Sequence, residues 1–339
     1  MGEDRKLEET AEGLPEFKLN MPDVGPMVAG QPFKPVFGVG KIETGDLKLD
    51  LQAKAGAQGR PYRSIFAIGR TAEGPGDLPQ PFALCRLPGG DFYVLHMVDE
   101  SGRTRLVRFG PNGERAGEIG PFEGGPGESA LDAPAAIQAD SHGNILVVDM
   151  GTSRVKRFSS EGRLLASLGA PGSGAGELEM PEGLAVDEAR GVLYIADTGN
   201  SRVQKWDAGG RFLSTVGTFD EPKGICLDAE GDLYVADGSG HRVQKLGTDG
   251  RVIIAFGEEG QEPGQLYYPR VVRVGAQGDI FVADSVQGRV QKFNREGQFV
   301  FQIVMPEEAG PIDDFLVDDA GRVLVALRHS GLVVDLEVI

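Results

Sequence analysis

Two cysteines in 339 residues cannot supply a disulfide framework. Basic residues are in deficit: 34 Lys and Arg stand against 51 Asp and Glu, a formal net charge of −17. A nucleic-acid binder normally carries a basic footprint, so that class is disfavoured. No apolar run approaches the ~20 residues of a membrane helix, and no membrane insertion is expected. The N-terminal stretch MGEDRKLEETAEG is polar and acidic. It is neither a signal peptide nor a myristoylation site, because Lys6 stands where Ser or Thr is required. The chain is therefore expected to be soluble, cytoplasmic as written and extracytoplasmic if an export signal has been removed. A Gly-x-Ser-x-Gly elbow, a phosphate loop, an HExxH pair and a DxDxDG calcium loop are all absent from the sequence.

What is abundant is glycine, 51 of 339 residues, about twice the globular average of ~7%. Apolar content of 40% excludes disorder. Four segments align without gaps: VVDMGTSRVKRF, IADTGNSRVQKW, VADGSGHRVQKL and VADSVQGRVQKF. They place Asp149, Asp197, Asp237 and Asp284 each five residues before Arg154, Arg202, Arg242 and Arg289. Each unit reads as four short strands, a to d, separated by tight turns such as DAEGD and DAGGR. Four strands per ~40–50 residues is the signature of a β-propeller blade.

The weaker ends complete the count. PFALCRLPGGDFYVLH, TRLVRF and GEIG form a first blade with a four-residue insertion in its b–c turn. Residues 311–339 supply strands a to c of a last blade, and RSIFAIG (63–69) supplies its missing strand d. The expected fold is all-β: a six-bladed propeller of four-stranded antiparallel blades over 60–339, closed by an N-terminal strand that inserts Ile65, Phe66 and Ile68. Residues 1–59 are an acidic extension, flexible over 1–31, with a hairpin or arm over 33–52.

The segment GLAVDEARGVLYIADTGNSRVQKWDAGGRFLSTVG (183–217) resembles an NHL repeat. The resemblance covers about 60–339 and is strongest over blades 2 to 5. A WD-type propeller fits less well, since Trp206 is the only tryptophan and the Gly-His and Trp-Asp marks are missing. Membership implies the fold and leaves function open, because such propellers serve docking, RNA binding, sensing and, in peptide amidation, a zinc-dependent lyase reaction.

In this architecture the d–a and b–c loops share one face, here called the top. They hold all the length variation, and that is where function is expected. The d–a loops are acidic, which suits solubility, a basic partner surface or a cation. One residue after each strand-a proline, Phe82, Ala135, Glu182, Lys223, Arg270 and Asp313 should ring the channel mouth. The ring either pairs internally, Lys223 with Glu182 and Arg270 with Asp313 or a loop carboxylate, or holds a small anion or a partner's carboxylate. Tyr267 and Tyr268 precede Arg270 and suit a protein contact. The recurrent Asp/Arg pairs are read as structural, with the aspartates accepting hydrogen bonds from b–c turn amides. His96 and His329 fall near the top of adjacent blades and are weak metal candidates, so no cofactor is assigned, with zinc or calcium as the alternatives. Cys85 and Cys226 occupy opposite blades and are expected to be buried free thiols.

The leading expectation is a non-catalytic scaffold that docks a protein partner on the top face through Phe82, Glu182, Lys223, Tyr267, Tyr268, Arg270 and Asp313. The alternatives are a lyase- or lactonase-like propeller enzyme with a metal at the top of the channel, and a small-ligand sensor domain.

Overall fold

The alternating apolar residues and glycine turns resolve into six four-stranded antiparallel sheets in the computed structural model. It describes residues 17–19, 41–44, 47–50, 62–69, 78–125 and 127–338. Blade 1 comprises Pro81–Arg86, Phe92–Met97, Thr104–Phe109 and Arg115–Phe122. Blade 3, the most regular, comprises Gly183–Asp187, Val192–Asp197, Arg202–Asp207 and Phe212–Val216. Every a strand packs beside the a strands of its two neighbours, which makes a closed ring around a channel. The a–b turns are set by their own side chains. In blade 2 the Asp140 carboxylate accepts the N–H groups of His142 and Asn144 at 3.0 and 2.8 Å, while Gly143 takes the left-handed φ of +79° that the turn needs.

Strand b is buried on both faces, from Ile145–Asp149 in blade 2 to Val323–Leu327 in blade 6. The core therefore lies between blades as six apolar clusters, each shared by neighbours. Hydroxyls add latches. Thr198 Oγ1 donates to the Pro222 carbonyl of blade 4 at 2.7 Å, and Ser285 Oγ to the Ile312 carbonyl at 2.6 Å. At the channel wall Asp314 accepts from Arg273 of blade 5 at 2.7 Å and from the Leu84 amide of blade 1 at 2.9 Å, joining three blades.

The ring closes as read from the sequence: Tyr62–Gly69 pairs antiparallel with Leu332–Val338 and becomes strand d of blade 6. One detail differs. Between strands c and d every blade slips by one residue. In blade 2, Arg157 faces Ala166 and Phe158 faces Leu164, so Leu165 has no partner. The skipped residues elsewhere are Leu213, Ile253, Val300, Ala116 and Ile65. Such a bulge turns its residue out of the ladder. Ile65 is accordingly 42% exposed rather than inserted, whereas Ile68 is 7% exposed and packs in the seam between blades 6 and 1. The Phe66 side chain lies outside those described.

Within the extension, Phe17–Leu19, Lys41–Thr44 and Leu47–Asp50 form a separate three-stranded sheet. The rest of the segment expected to be flexible, and the other parts of 33–52, lie outside the described residues. Cys85 and Cys226 are free. Cys85 is buried and Cys226 is partly exposed, a departure from the expectation for the second. Desolvation pushes both thiols up to about 12, so neither is a thiolate at neutral pH.

Candidate functional site

The top face is built by the aspartates that end strand b. Their backbone amide donors come from the d–a loops rather than the b–c turns, which contribute the side chains of Thr152 and Asn200 instead. The carboxylates reach back along the top toward the loop that enters the same blade. Asp149 accepts from the Asp132 N–H, Asp197 from Glu179, and Asp237 from Asp220, at 2.8, 2.7 and 2.6 Å. Asp284 takes both Tyr267 and Tyr268 amides, at 3.1 and 3.0 Å. Arg202, Arg242 and Arg289 pair with their aspartates at 2.7–3.0 Å. Blade 2 departs: Lys156 stands where Gln204 and Gln244 bind the aspartate, and it pairs with Asp149 at 2.9 Å. Arg154 donates instead to the Gly169 carbonyl. These buried contacts clamp loops of unequal length to a common floor.

A second constraint acts at the rim. Gln80, Ala133, Met180 and Glu221, each directly before a strand-a proline, have φ between +44° and +66°. Non-glycine residues rarely adopt this region, and the strain is held by the surrounding clamp. It presents Met180 and Glu221 to the centre of the face.

Lys223 of blade 4 is caged. Its Nζ lies 2.6 Å from Glu182 Oε1 and 2.8 Å from Glu221 Oε1, and 5.6 Å from the Tyr268 ring centre. The Tyr268 hydroxyl donates to the same Glu221 oxygen at 2.8 Å. Burial works against the ammonium, but the hydrogen bonds it donates to Glu182 and Glu221 outweigh it and raise its pKa. Burial likewise works against the Glu221 charge, and donation from Lys223, Ser239 and Tyr268 overcomes it, bringing the carboxyl down to about 2. Lys223 is 6% exposed and neutralised within this cage. The two tyrosines part company: Tyr268 completes the cage, while Tyr267 is exposed.

Arg270 of blade 5 is arranged differently. Its side chain makes no close hydrogen bond or ion pair with a described residue, and its charge acts at longer range on Asp313 and Asp314. Asp313 is engaged by Arg328 instead: Nε lies 3.3 Å from Oδ1, and the Arg328 N–H donates to Oδ2 at 2.9 Å. The Arg328 guanidinium stacks 4.6 Å from the Phe82 ring centre. Its buried Nε has no hydrogen-bond partner among the described residues. Desolvation, joined by the neighbouring positive charge of Arg270, lowers the Arg328 pKa.

Arg328 did not figure in the sequence reading, yet a signal was there. It follows strand b of blade 6, where the other blades carry Met97, Met150, Thr198, Gly238 and Ser285. A lone charge in an otherwise neutral second ring marks the place. Glu221 was expected among the acidic residues of the d–a loops, in GTFDEP, the shortest of them, but not as a partner of Lys223.

Arg270, Arg328, Phe82, Lys223 and Glu182 converge on one cleft of about 710 Å³ at the channel mouth. Ala135 lines the same cleft, and Asp313 lines the narrow throat of about 40 Å³ beneath it. Met97, Met150 and Met180, from blades 1 to 3, line the same cleft. Met150 and Met180 also border a groove of about 470 Å³ running outward between blades 2 and 3 past Pro171 and Glu179. Around it the exposed loop carboxylates include Glu123, Glu128, Glu258, Glu259, Glu307 and Glu308. His96 is buried in blade 1, its Nδ1 2.9 Å from the Met97 carbonyl, and His329 is exposed. Among the described residues, no three His, Cys, Asp or Glu side chains gather as a metal site.

Residues 178–206 and 219–246 match the NHL repeat family. No curated protein matches the sequence. Solved propellers share the fold. A streptogramin B lyase superposes with a TM-score of 0.55 at 13% identity, covering 81% of this chain and 98% of that one. Virginiamycin B lyase from Staphylococcus aureus, in a structure with quinupristin, gives 0.58 at 12% identity over 82% and 100%. A chain of a nidogen/laminin complex gives 0.55 at 19% identity over 80% and 96%. Lyases and a chain of a nidogen/laminin complex sit on one scaffold, so this likeness describes the fold alone.

Proposed function

We propose that this NHL-repeat propeller is a non-catalytic scaffold that docks a protein partner on its top face. The observation that carries the reading is the composite surface at the channel mouth. A cleft walled by three methionines, two aromatic rings and an unpaired arginine lies within a rim of exposed carboxylates. Methionine walls adapt to varied side chains, and aromatic and arginine anchors are the groups that dominate protein interfaces. The acidic rim favours a partner with a basic surface and speeds its encounter. The nidogen/laminin neighbour is one propeller of this shape found in a protein complex.

Site-specific photo-cross-linking tests the reading. A photoreactive residue at position 173 or 267, on the top face, should trap the partner in cells. One at position 142, in a bottom-face turn, should not. Replacing Glu258, Glu259 and Glu262 with lysine should lower the yield from the top positions and the association rate at low salt. Equal trapping from both faces, or a yield indifferent to the triple reversal, would remove the proposal.

A further inference from the structure

The geometry points to a carboxylate-binding site at the Arg270–Arg328 pair, built to take the C-terminal carboxylate of a partner chain. This rests on the docking role proposed above and names the part of the partner that is held. Two guanidiniums face one cleft, and neither side chain donates a hydrogen bond to any described residue. Apart from the 3.3 Å approach of Arg328 Nε to Asp313, the guanidinium N–H groups of the pair are not spent on protein and are open to an acceptor that enters the cleft. The third cation, Lys223, is not available, since two carboxylates and a tyrosine ring already enclose it. Phe82 holds Arg328 from beneath, which orders the fork before any ligand arrives.

Charge and shape select the carboxylate. Arg270, Arg328 and Lys223 carry three positive charges, and Asp313, Glu182 and Glu221 return three negative ones, so the mouth has no net charge and an anion is drawn by guanidinium donors rather than by a net field. A singly charged carboxylate unbalances such a site less than a phosphate dianion does. The acidic rim would repel a segment rich in Asp or Glu. The anionic group must therefore stand at the tip of a chain that is otherwise neutral or basic. A central cup at a channel mouth also admits a chain end more easily than an internal loop.

The rest of the surface continues the assignment. The side chain next to the carboxylate would meet Met97, Met150 and Met180, so an apolar last residue fits. The groove past Pro171 leads the chain outward to Glu179, where a basic residue a few positions upstream would find its counter-charge. The expected motif is a basic, then apolar, C-terminus with a free carboxylate.

The probe is a library of randomised hexapeptides fixed at their N-termini, prepared once with free C-terminal carboxylates and once as amides. The full-length protein should enrich the free-acid library alone, favouring Leu, Ile, Phe or Met last and Lys or Arg upstream. For the best peptide, Arg270→Gln and Arg328→Gln should each weaken binding at least tenfold with the melting temperature held. If Arg328→Gln unfolds the protein through its contact with Phe82, Arg270→Gln alone carries the test. Equal enrichment of the amide library, no enrichment in either, or wild-type affinity in Arg270→Gln would overturn the assignment. Enrichment of internal Asp or Glu among the amides would show a side-chain carboxylate instead, and would overturn it too. Cross-linking from positions 173 and 267 separates the two claims. If it survives Arg270→Gln, docking stands and the carboxylate anchor falls; if it never occurs in the wild type, the docking role itself falls.

Discussion

Ile65 and Ile68 offer a paired test of how the ring is closed, because they lie on one strand and differ in what the bulge does to them. Ile68 packs at the seam with Leu84, Phe92 and Val94 of blade 1 and Leu324 and Val333 of blade 6. Ile68→Ala removes three methylene equivalents at ~0.8 kcal/mol each, about 2.4 kcal/mol of transfer energy. A cavity that collapses incompletely adds up to ~2 kcal/mol. The expected loss is thus roughly 2–4 kcal/mol, or about 3–7 °C in melting temperature for a propeller of this size. Ile65 is skipped by the c–d register and exposed. Ile65→Ala should cost no more than ~0.5 kcal/mol. Urea unfolding of both variants can be followed by circular dichroism and by the fluorescence of Trp206. That tryptophan is buried in blade 3, across the ring from the seam. A shift of the Trp206 transition in Ile68→Ala would show that weakening the seam is felt by the whole ring. Equal losses in the two variants, or a larger one for Ile65→Ala, would refute both the register and the closure argument.

Other consequences follow from the charged groups and turns. Lys223→Met leaves Glu182 and Glu221 facing each other without a counter-charge and should cost about 3 kcal/mol in denaturant unfolding. Because Glu221 is held at about 2 in the folded protein, its contribution is present above pH 4.5 and lost as the pH falls toward 2. Glu221→Gln should flatten that acid limb in a melting series. Asp335 behaves oppositely: burial raises its carboxyl to about 6, so its penalty is absent below pH 3.8 and grows as the pH rises through 6. Asp335→Asn should therefore stabilise at pH 7 by up to about 3 kcal/mol and make no difference at pH 3.5. Ser201 holds a φ of +51° at a turn position where blade 5 carries Gly288. Ser201→Gly should raise stability by about 0.5–1 kcal/mol, read as a higher urea midpoint.

The repeat, the six blades and the closing strand were legible in the linear sequence because each rests on local physics. Alternation marks strands, Gly-Asp turns mark their ends, and gap-free alignment of Asp149, Asp197, Asp237 and Asp284 fixes the period. The ring of Phe82, Ala135, Glu182, Lys223, Arg270 and Asp313 could also be written down from register alone. What register does not carry is which neighbours satisfy which charges. Lys223 and Arg270 occupy equivalent positions in adjacent blades, yet one is caged and the other is not. The difference lies in loop geometry: a short d–a loop brings Glu221 onto Lys223, while Arg328 from blade 6, not Arg270, makes the direct contact with Asp313. Ile65 makes the same point for packing, since a one-residue bulge inverts the side-chain direction that alternation implies. Local pattern determines the blade, but side-chain pairing across the top is a matter of ångströms between loops distant in sequence, and only the folded ring brings those loops together.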